Sequence, residues 1–297
     1  MGNRWEEIRG LYGAALDDAL ARNVADALAE DVGTGDLTGR LVPDGPSRRA
    51  RVIVREHSVL CGVPWFNEVL RSVDASIEID WHKHDGDRMV PNDIVCEMVG
   101  PARSLLTAER NALNFIQLLT GVATVTRRYV DLVEGTRARI LDTRKTMPGL
   151  RLAQKYAVRV GGGDNQRLAL YDGILIKENH IAAAGGVGAA VDAALEIGRQ
   201  ARKASGRDLS IQVEVETIAQ LREALEHDAQ SILLDNFTFE MMREAVDVTA
   251  GRAVLEVSGG VNFETVRQIA ETGVDRISIG ALTKDVKAGD FSMRIID

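Results

Sequence analysis

Only two cysteines, Cys61 and Cys96, occur in 297 residues, and neither stands in a metal-ligand spacing. Reduced thiols are therefore expected, as in a cytoplasmic protein. Histidine is nearly as scarce. Of five, only His82 and His84 are close together, so no zinc site is expected. No apolar run approaches the roughly 18–20 residues that a membrane-spanning helix needs. The opening Met-Gly-Asn-Arg-Trp-Glu-Glu is too polar for a secretory signal. These features favour a cytoplasmic location without membrane association. An excess of positive charge is also missing. The formal net charge is -8, which argues against the basic stripe that a nucleic-acid partner wants.

What is present is a chain able to bury a sizeable core. Hydrophobic residues make up 45% and charged residues 27%, enough for two domains or one large barrel. The pattern divides near residue 112. Before it, Leu11–Ala29 has helical spacing, while segments 50–56, 76–82 and 94–99 read as strands, the last two separated by the turn Asp85-Gly86-Asp87. A long helix is expected from Leu105 to about Val133, opened by Thr107 and Arg110, with Gly121 as a candidate kink.

Strands and helices then alternate. Short apolar runs occur at 139–142, 173–176, 210–215, 231–234, 253–257 and 276–279, separated by helical patterns at 148–159, 187–204, 217–227, 239–249 and 262–272. Continuous apolar runs are the mark of buried parallel strands. Repeated βα units imply a parallel sheet with helices outside, open or closed into a barrel.

Each strand ends in polar or small residues. Thr143-Arg144-Lys145 follows the first and Lys177-Glu178-Asn179 the second. Glu214 and Glu216 close the third, Asp235-Asn236 the fourth, Ser258-Gly259-Gly260 the fifth and Gly280-Ala281 the sixth. In α/β barrels the chemistry sits at the C-terminal strand ends, and late glycine loops hold phosphate. Cations come early, carboxylates in the middle and Ser/Gly late. In an acidic chain, Arg144, Lys145, Arg167 and Lys177 beside glycines point to a phosphate- or carboxylate-rich small molecule.

Ten motifs carry a family resemblance. They are Glu-Asp-Val-Gly-Thr-Gly-Asp-Leu-Thr (30–38), Arg-Glu-His-Ser-Val-Leu-Cys-Gly (55–62), Ala-Glu-Arg-Asn-Ala-Leu-Asn (108–114), Thr-Arg-Lys-Thr-Met-Pro-Gly (143–149) and Gly-Gly-Gly (161–163). Then come Ile-Lys-Glu-Asn-His (176–180), Glu-Val-Glu (214–216), Leu-Leu-Asp-Asn-Phe (233–237), Ser-Gly-Gly (258–260) and Ile-Gly-Ala-Leu-Thr (279–283). Over nearly its whole length the chain resembles quinolinate phosphoribosyltransferase. The resemblance implies an α/β fold in two parts: an N-terminal α/β sandwich, residues 1–112 with 285–297, and an incomplete, open α/β barrel, residues 113–284. It also implies a homodimer in which each sandwich closes the neighbour's barrel.

The implied reaction joins quinolinate to phosphoribosyl pyrophosphate, giving nicotinate mononucleotide, pyrophosphate and carbon dioxide in NAD biosynthesis. By the resemblance, Arg110, Arg144 and Arg167 grip the carboxylates of quinolinate, with Arg110 supplied by the partner subunit. A guanidinium fork suits a carboxylate in a way an ammonium does not. Thr143 and Gln166 join the substrate-binding set. Lys145 and Lys177 match the lysines on the pyrophosphate. Glu214 and Asp235 match the Mg2+ carboxylates, with Glu216 ranked behind them. Ser258, Gly259 and Gly280 match the 5′-phosphate cradle.

Other readings of single residues stand beside these. Arg110 also reads as a surface charge at a helix start, although a cation there opposes the helix dipole. Lys155 and Arg159 read as surface residues on a helix, and Arg151 is ambiguous. Glu256 reads either as a site carboxylate or as a buried structural one. His180 either lines the site or caps the loop after its strand. The chain departs from the family at Asn165-Gln166-Arg167, where a histidine usually precedes the arginine. Glutamine can donate a hydrogen bond but carries no charge, which puts a cationic role there in doubt. Three rival functions remain: a transferase for another aromatic acid such as nicotinate, a silent anion-binding module, and a barrel enzyme of other chemistry.

Overall fold

The computed structural model describes residues 4–43, 47–206 and 208–296. In chain order the elements begin with α1 (Arg4–Tyr12), α2 (Ala14–Asp31), β1 (Ser47–Val54), β2 (Ser58–Val59), α3 (Val63–Val73), β3 (Glu78–Trp81), β4 (Arg88–Met89) and β5 (Ile94–Pro101). They continue with α4 (Ala102–Leu132), β6 (Arg139–Leu141), α5 (Arg151–Val160), β7 (Gly173–Ile176), α6 (Glu178–Ala184), α7 (Val187–Ser205), β8 (Ser210–Val215) and α8 (Ile218–Glu226). The last are β9 (Ser231–Asp235), α9 (Phe239–Thr249), β10 (Val254–Ser258), α10 (Val266–Glu271), β11 (Arg276–Ser278), α11 (Ala281–Lys284) and β12 (Phe291–Ile295). They fall into two units. One holds Met1–Arg127, Thr146–Gly162 and Ala281–Asp297; the other holds Arg128–Lys145 and Gly163–Gly280.

The first unit is built on an antiparallel sheet of order β12-β1-β5-β3. Its strands alternate as half-buried strands must. Ala50, Val52 and Val54 of β1 are fully buried, while Arg51 between them points out and pairs with Glu97 of β5 at 2.6 Å. Helix α3 buries Trp65, Phe66, Val69 and Leu70, and Phe66 meets Trp81 of β3 edge-on. The tail strand β12 pairs with β1, Val52 opposite Met293. Both cysteines are free and buried.

Three expectations change in this unit. Helix α4 starts at Ala102 rather than near Leu105, so Arg110 lies well inside the helix, where the N-terminal dipole no longer bears on it. The helix also runs unbroken through Gly121. A Cβ on Gly121 would lie 2.2 Å from the Lys287 carbonyl oxygen, so the glycine admits a crossing backbone rather than a kink. Finally, Lys155 is fully buried, not on the surface, although Arg159 is partly exposed. Helix α5 is enclosed from Ala153 through Val158, against α1 and α2. Its polar groups bond inside the unit: the Gln154 amide donates to the Thr283 carbonyl at 2.8 Å. Periodicity marks the polar face of such a helix but not what covers it.

The second unit is a six-stranded parallel sheet of order β6-β11-β10-β9-β8-β7, with α7, α8, α9 and α10 between successive strands. All six strands lie where their apolar runs predict, within a residue at either end. The edge strands β6 and β7 do not pair with each other, so the barrel is not closed. A short segment after the triple glycine lies along β6 instead: Leu141 bridges Asp164 in parallel register, and the Asp164 N–H donates to the Ile140 carbonyl at 2.8 Å.

Candidate functional site

Eleven of the twelve residues singled out for the site belong to the second unit, nine of them at or just beyond the C-terminal ends of its strands and two, Gln166 and Arg167, on the segment that precedes β7. Parallel register brings the nine together. At the β6 exit, the Lys145 N–H donates to the Thr143 hydroxyl at 3.1 Å. Strand β11 lies beside β6, and a Cβ on Gly280 would lie 3.1 Å from Lys145 Cδ and 3.6 Å from Thr143 Oγ1. The missing side chain at 280 thus leaves room for the lysine stem.

The segment carrying Arg167 is pinned in the gap between β6 and β7. Asp142 is fully buried, and both its carboxylate oxygens accept: Oδ2 from the Asn165 amide and Oδ1 from the Gln166 N–H, each at 2.8 Å. At the other side Arg167 Nη1 donates to the Gly173 carbonyl of β7 at 2.7 Å. Burial, and then the Arg144 guanidinium, pulls the Arg167 pKa below its ordinary value. Two cations held close enough to repel form a site that gains from an incoming anion.

Opposite stand the carboxylates. Lys177 Nζ bonds Glu214 Oε2 at 2.8 Å, joining the ends of β7 and β8. Glu214 is paired in register with Leu233, two residues before Asp235 on β9. The two carboxylates therefore share a face. Asp235 accepts from the neighbouring Asn236 amide at 2.8 Å. Gly259, just after β10, comes close to both: a Cβ there would lie 2.9 Å from Asn236 Oδ1 and 3.4 Å from Asp235 Oδ1. Ser258 ends β10 in register with Asp235. Hard oxygen donors on adjacent strands fit Mg2+, which takes one or two carboxylates and fills its other positions with water and phosphate oxygens. Among the described residues no three His, Cys, Asp or Glu side chains form a metal cage.

The contacts also bear on the residues left open. The Lys177 N–H donates to His180 Nδ1 at 3.0 Å, so His180 caps the start of α6. Glu216 is exposed and immediately precedes Thr217, the N-cap of α8. Glu256 is fully buried. One of its oxygens accepts from the Gln166 amide and the other from the Gln212 amide at 3.0 Å. The Gln166 side chain thus reaches into the interior. Arg151 donates to the Thr146 hydroxyl at 3.0 Å, within the first unit.

Arg110 is the twelfth residue. It lies in the first unit, exposed on α4, at a cavity of about 610 Å³ lined also by Asp36, Leu37, Thr38, Leu41, Leu106 and Thr107. Leu37 and Leu41 are 74% and 81% exposed, an apolar patch beside a cation.

Sequence reading missed the roles of Asp142 and Gln212. Gln212 left a signal: in Ser-Ile-Gln-Val-Glu-Val it sits two residues before Glu214, on the same strand face. Asp142 left none, because its role is to hold a segment more than twenty residues away.

Comparison with known proteins gives concordant results. Residues 36–120 match the family described as quinolinate phosphoribosyl transferase, N-terminal domain, and residues 122–294 match its C-terminal domain. The chain is 41% identical over 266 residues to the probable nicotinate-nucleotide pyrophosphorylase [carboxylating] of Bacillus subtilis, covering 90% of each chain. It is 41% identical over 286 residues to the Mycobacterium leprae nicotinate-nucleotide pyrophosphorylase [carboxylating], covering 93% of this chain and 97% of that one. The solved nicotinate-nucleotide pyrophosphorylase of Francisella tularensis superposes with a TM-score of 0.87 at 44% identity, covering 94% and 96% of the two chains. By both of its matched domains and by these relatives, the chain belongs to the quinolinate phosphoribosyltransferase family.

Proposed function

We propose that the chain transfers the phosphoribosyl group of phosphoribosyl pyrophosphate to quinolinate, releasing pyrophosphate and carbon dioxide and leaving nicotinate mononucleotide for NAD biosynthesis in the cytoplasm. The observation that carries this reading is the arrangement of Arg144 and Arg167: Arg144 follows β6 directly, and the segment leading to Arg167 is bridged to the end of the same strand at Leu141 and Asp164. Quinolinate bears two adjacent carboxylates, and two guanidinium forks can each take one in bidentate fashion.

The other residues divide the remaining work. Lys145 and Lys177 bind the pyrophosphate oxygens, where negative charge grows as the C–O bond breaks. Lys177 exchanges its bond to Glu214 for one to phosphate. Glu214 and Asp235 would hold Mg2+, whose charge would offset that of the leaving pyrophosphate. Released from Lys177, Glu214 also faces the positive charge that develops at the ribose carbon. Ser258, Gly259 and Gly280 cradle the 5′-phosphate, and Thr143 lies within reach of the same end. Once its ring nitrogen is glycosylated and positive, the carbanion left at the adjacent carbon by loss of CO2 is stabilised. Decarboxylation then needs orientation but no further cofactor.

We further propose a homodimer in which Arg110 completes the partner's quinolinate site. The exposed Leu37 and Leu41 beside Arg110 supply apolar area for a second copy to cover.

The test is release of labelled CO2 from quinolinate together with pyrophosphate, with nicotinate in competition. Coupled release at one to one, unaffected by equimolar nicotinate, supports the reading. Turnover of nicotinate without CO2 would replace the substrate. Binding of phosphoribosyl pyrophosphate without any pyrophosphate release would reduce the chain to an anion-binding module.

A further inference from the structure

The Gln166 side chain does not lie on the surface of its segment. It donates into the interior of the parallel sheet, to Glu256 of β10 and, at 3.4 Å, to Gln212 of β8. A residue beside edge strand β6 can reach β10 and β8 only because the sheet curls around. Gln212 completes the set, donating to the second Glu256 oxygen and, at 3.2 Å, to the Ser231 hydroxyl of β9. Two side chains from the far strands, Glu256 and Gln212, thus meet the Gln166 amide, and Gln212 ties them on to Ser231. Glu256 and Gln212 are buried at 0% and 7% exposure, so each bond forms where water competes poorly.

The position of this anchor gives it a consequence. Gln166 directly precedes Arg167. The segment has no ladder of its own; it is held by the bridge at Asp164, by Asp142, by Gly173 and by this inward amide. Arg167 itself is fixed by its bond from Nη1 to the Gly173 carbonyl at 2.7 Å, so its direction depends on how the preceding residue is held. We propose that Gln166, through Glu256 and Gln212, is a positioning residue that fixes Arg167 beside Arg144 for the dianionic aromatic acid, without itself binding that acid. This rests on the proposed substrate for its ligand, but the anchoring itself does not.

Kinetics of Gln166→Leu and of the exchange pair Gln166→Glu with Glu256→Gln decide it. Leucine keeps the bulk and removes both donors. KM for quinolinate is expected to rise about tenfold, with KM for phosphoribosyl pyrophosphate within about twofold of native. Gln166→Glu alone sets two carboxylates face to face and should raise KM for quinolinate as much or more. Adding Glu256→Gln restores one donor and one acceptor between the positions and should recover most of the loss. If Gln166→Leu does not fold, the double variant carries the test. An unrecovered KM there, or equal changes in both KM values, overturns the proposal, as does Gln166→Leu with lowered Tm and unchanged KM. The crystal structure of a folded variant gives a readout independent of turnover. Arg167 displaced from Gly173 supports the anchor, and an unmoved Arg167 overturns it. Native enzyme that ignores quinolinate would defeat the substrate reading and leave this structural arm to decide the anchor.

Discussion

Asp85 lies in the turn between β3 and β4, half-buried as a residue but with its carboxyl enclosed. Its Oδ2 accepts from the Tyr156 hydroxyl at 2.6 Å and its Oδ1 from the Val63 N–H at 3.1 Å. Burial outweighs both bonds and lifts its pKa from 3.8 to about 6. An unfolded chain releases this proton near pH 4, while the native chain keeps it to about pH 6. The native state therefore binds more protons across that window, and this group's contribution to stability falls as pH rises through it, reaching its full loss above pH 6. A difference of about two pH units corresponds to about 3 kcal/mol. Asn at this position can turn its carbonyl to Val63 and its amide to the Tyr156 oxygen, with no charge to bury. Asp85→Asn should match the native protein near pH 4 and exceed it by up to about 3 kcal/mol at pH 8. Carboxylates held low, Asp36 by Gly39, Asp74 by Ser76, Asp93 by Val90 and Glu97 by Arg51, give the opposite slope. The comparison must therefore be variant minus native at each pH. Urea unfolding followed by tryptophan fluorescence suits it, because Trp5 and Trp65 pack against Tyr156. A difference that stays constant between pH 4.5 and 8, or a variant less stable at pH 8, would refute the reasoning.

Lys145→Ala should cut kcat by about 10²–10³-fold while moving Tm by less than about 2 °C, since the side chain is exposed; steady-state kinetics and a melting curve check both, and unchanged kinetics remove its role. Gly121→Ala should cost about 1–3 kcal/mol in urea unfolding, because the new methyl meets the Lys287 carbonyl. Thr238→Ala removes the cap that accepts from the Met241 N–H of α9 and should cost about 1 kcal/mol with turnover unchanged, measured by the same two assays.

The parallel sheet was the most legible part of this fold. Its strands are buried on both faces, so Ile174–Ile176 and Ile232–Leu234 stand out as uninterrupted apolar runs, and whatever follows each run sits at the strand end by necessity. Thr143 to Lys145, Lys177, Glu214, Asp235, Ser258 and Gly280 could be named for that reason. The first unit was harder. Helix α3 went unread although Trp65, Phe66, Val69 and Leu70 hold helical spacing, because it is short and lies between strand-like segments. The two-residue strands β2 and β4 are too brief to leave a pattern.

The order of residue types was enough to establish repeated βα units, the polar strand ends and the family, because each depends on spacing along one segment. Folding in three dimensions decided what depends on distant segments meeting. It turned Gln166 inward to Glu256 and buried Lys155 on the polar side of its helix. It gave Gly121 a crossing backbone to admit, and it tied Asn165 and Gln166 to Asp142 and Arg167 to Gly173. A side chain's neighbours across ninety residues, as from Gln166 to Glu256, are set by how the sheet curls, and curl leaves no local mark in the chain.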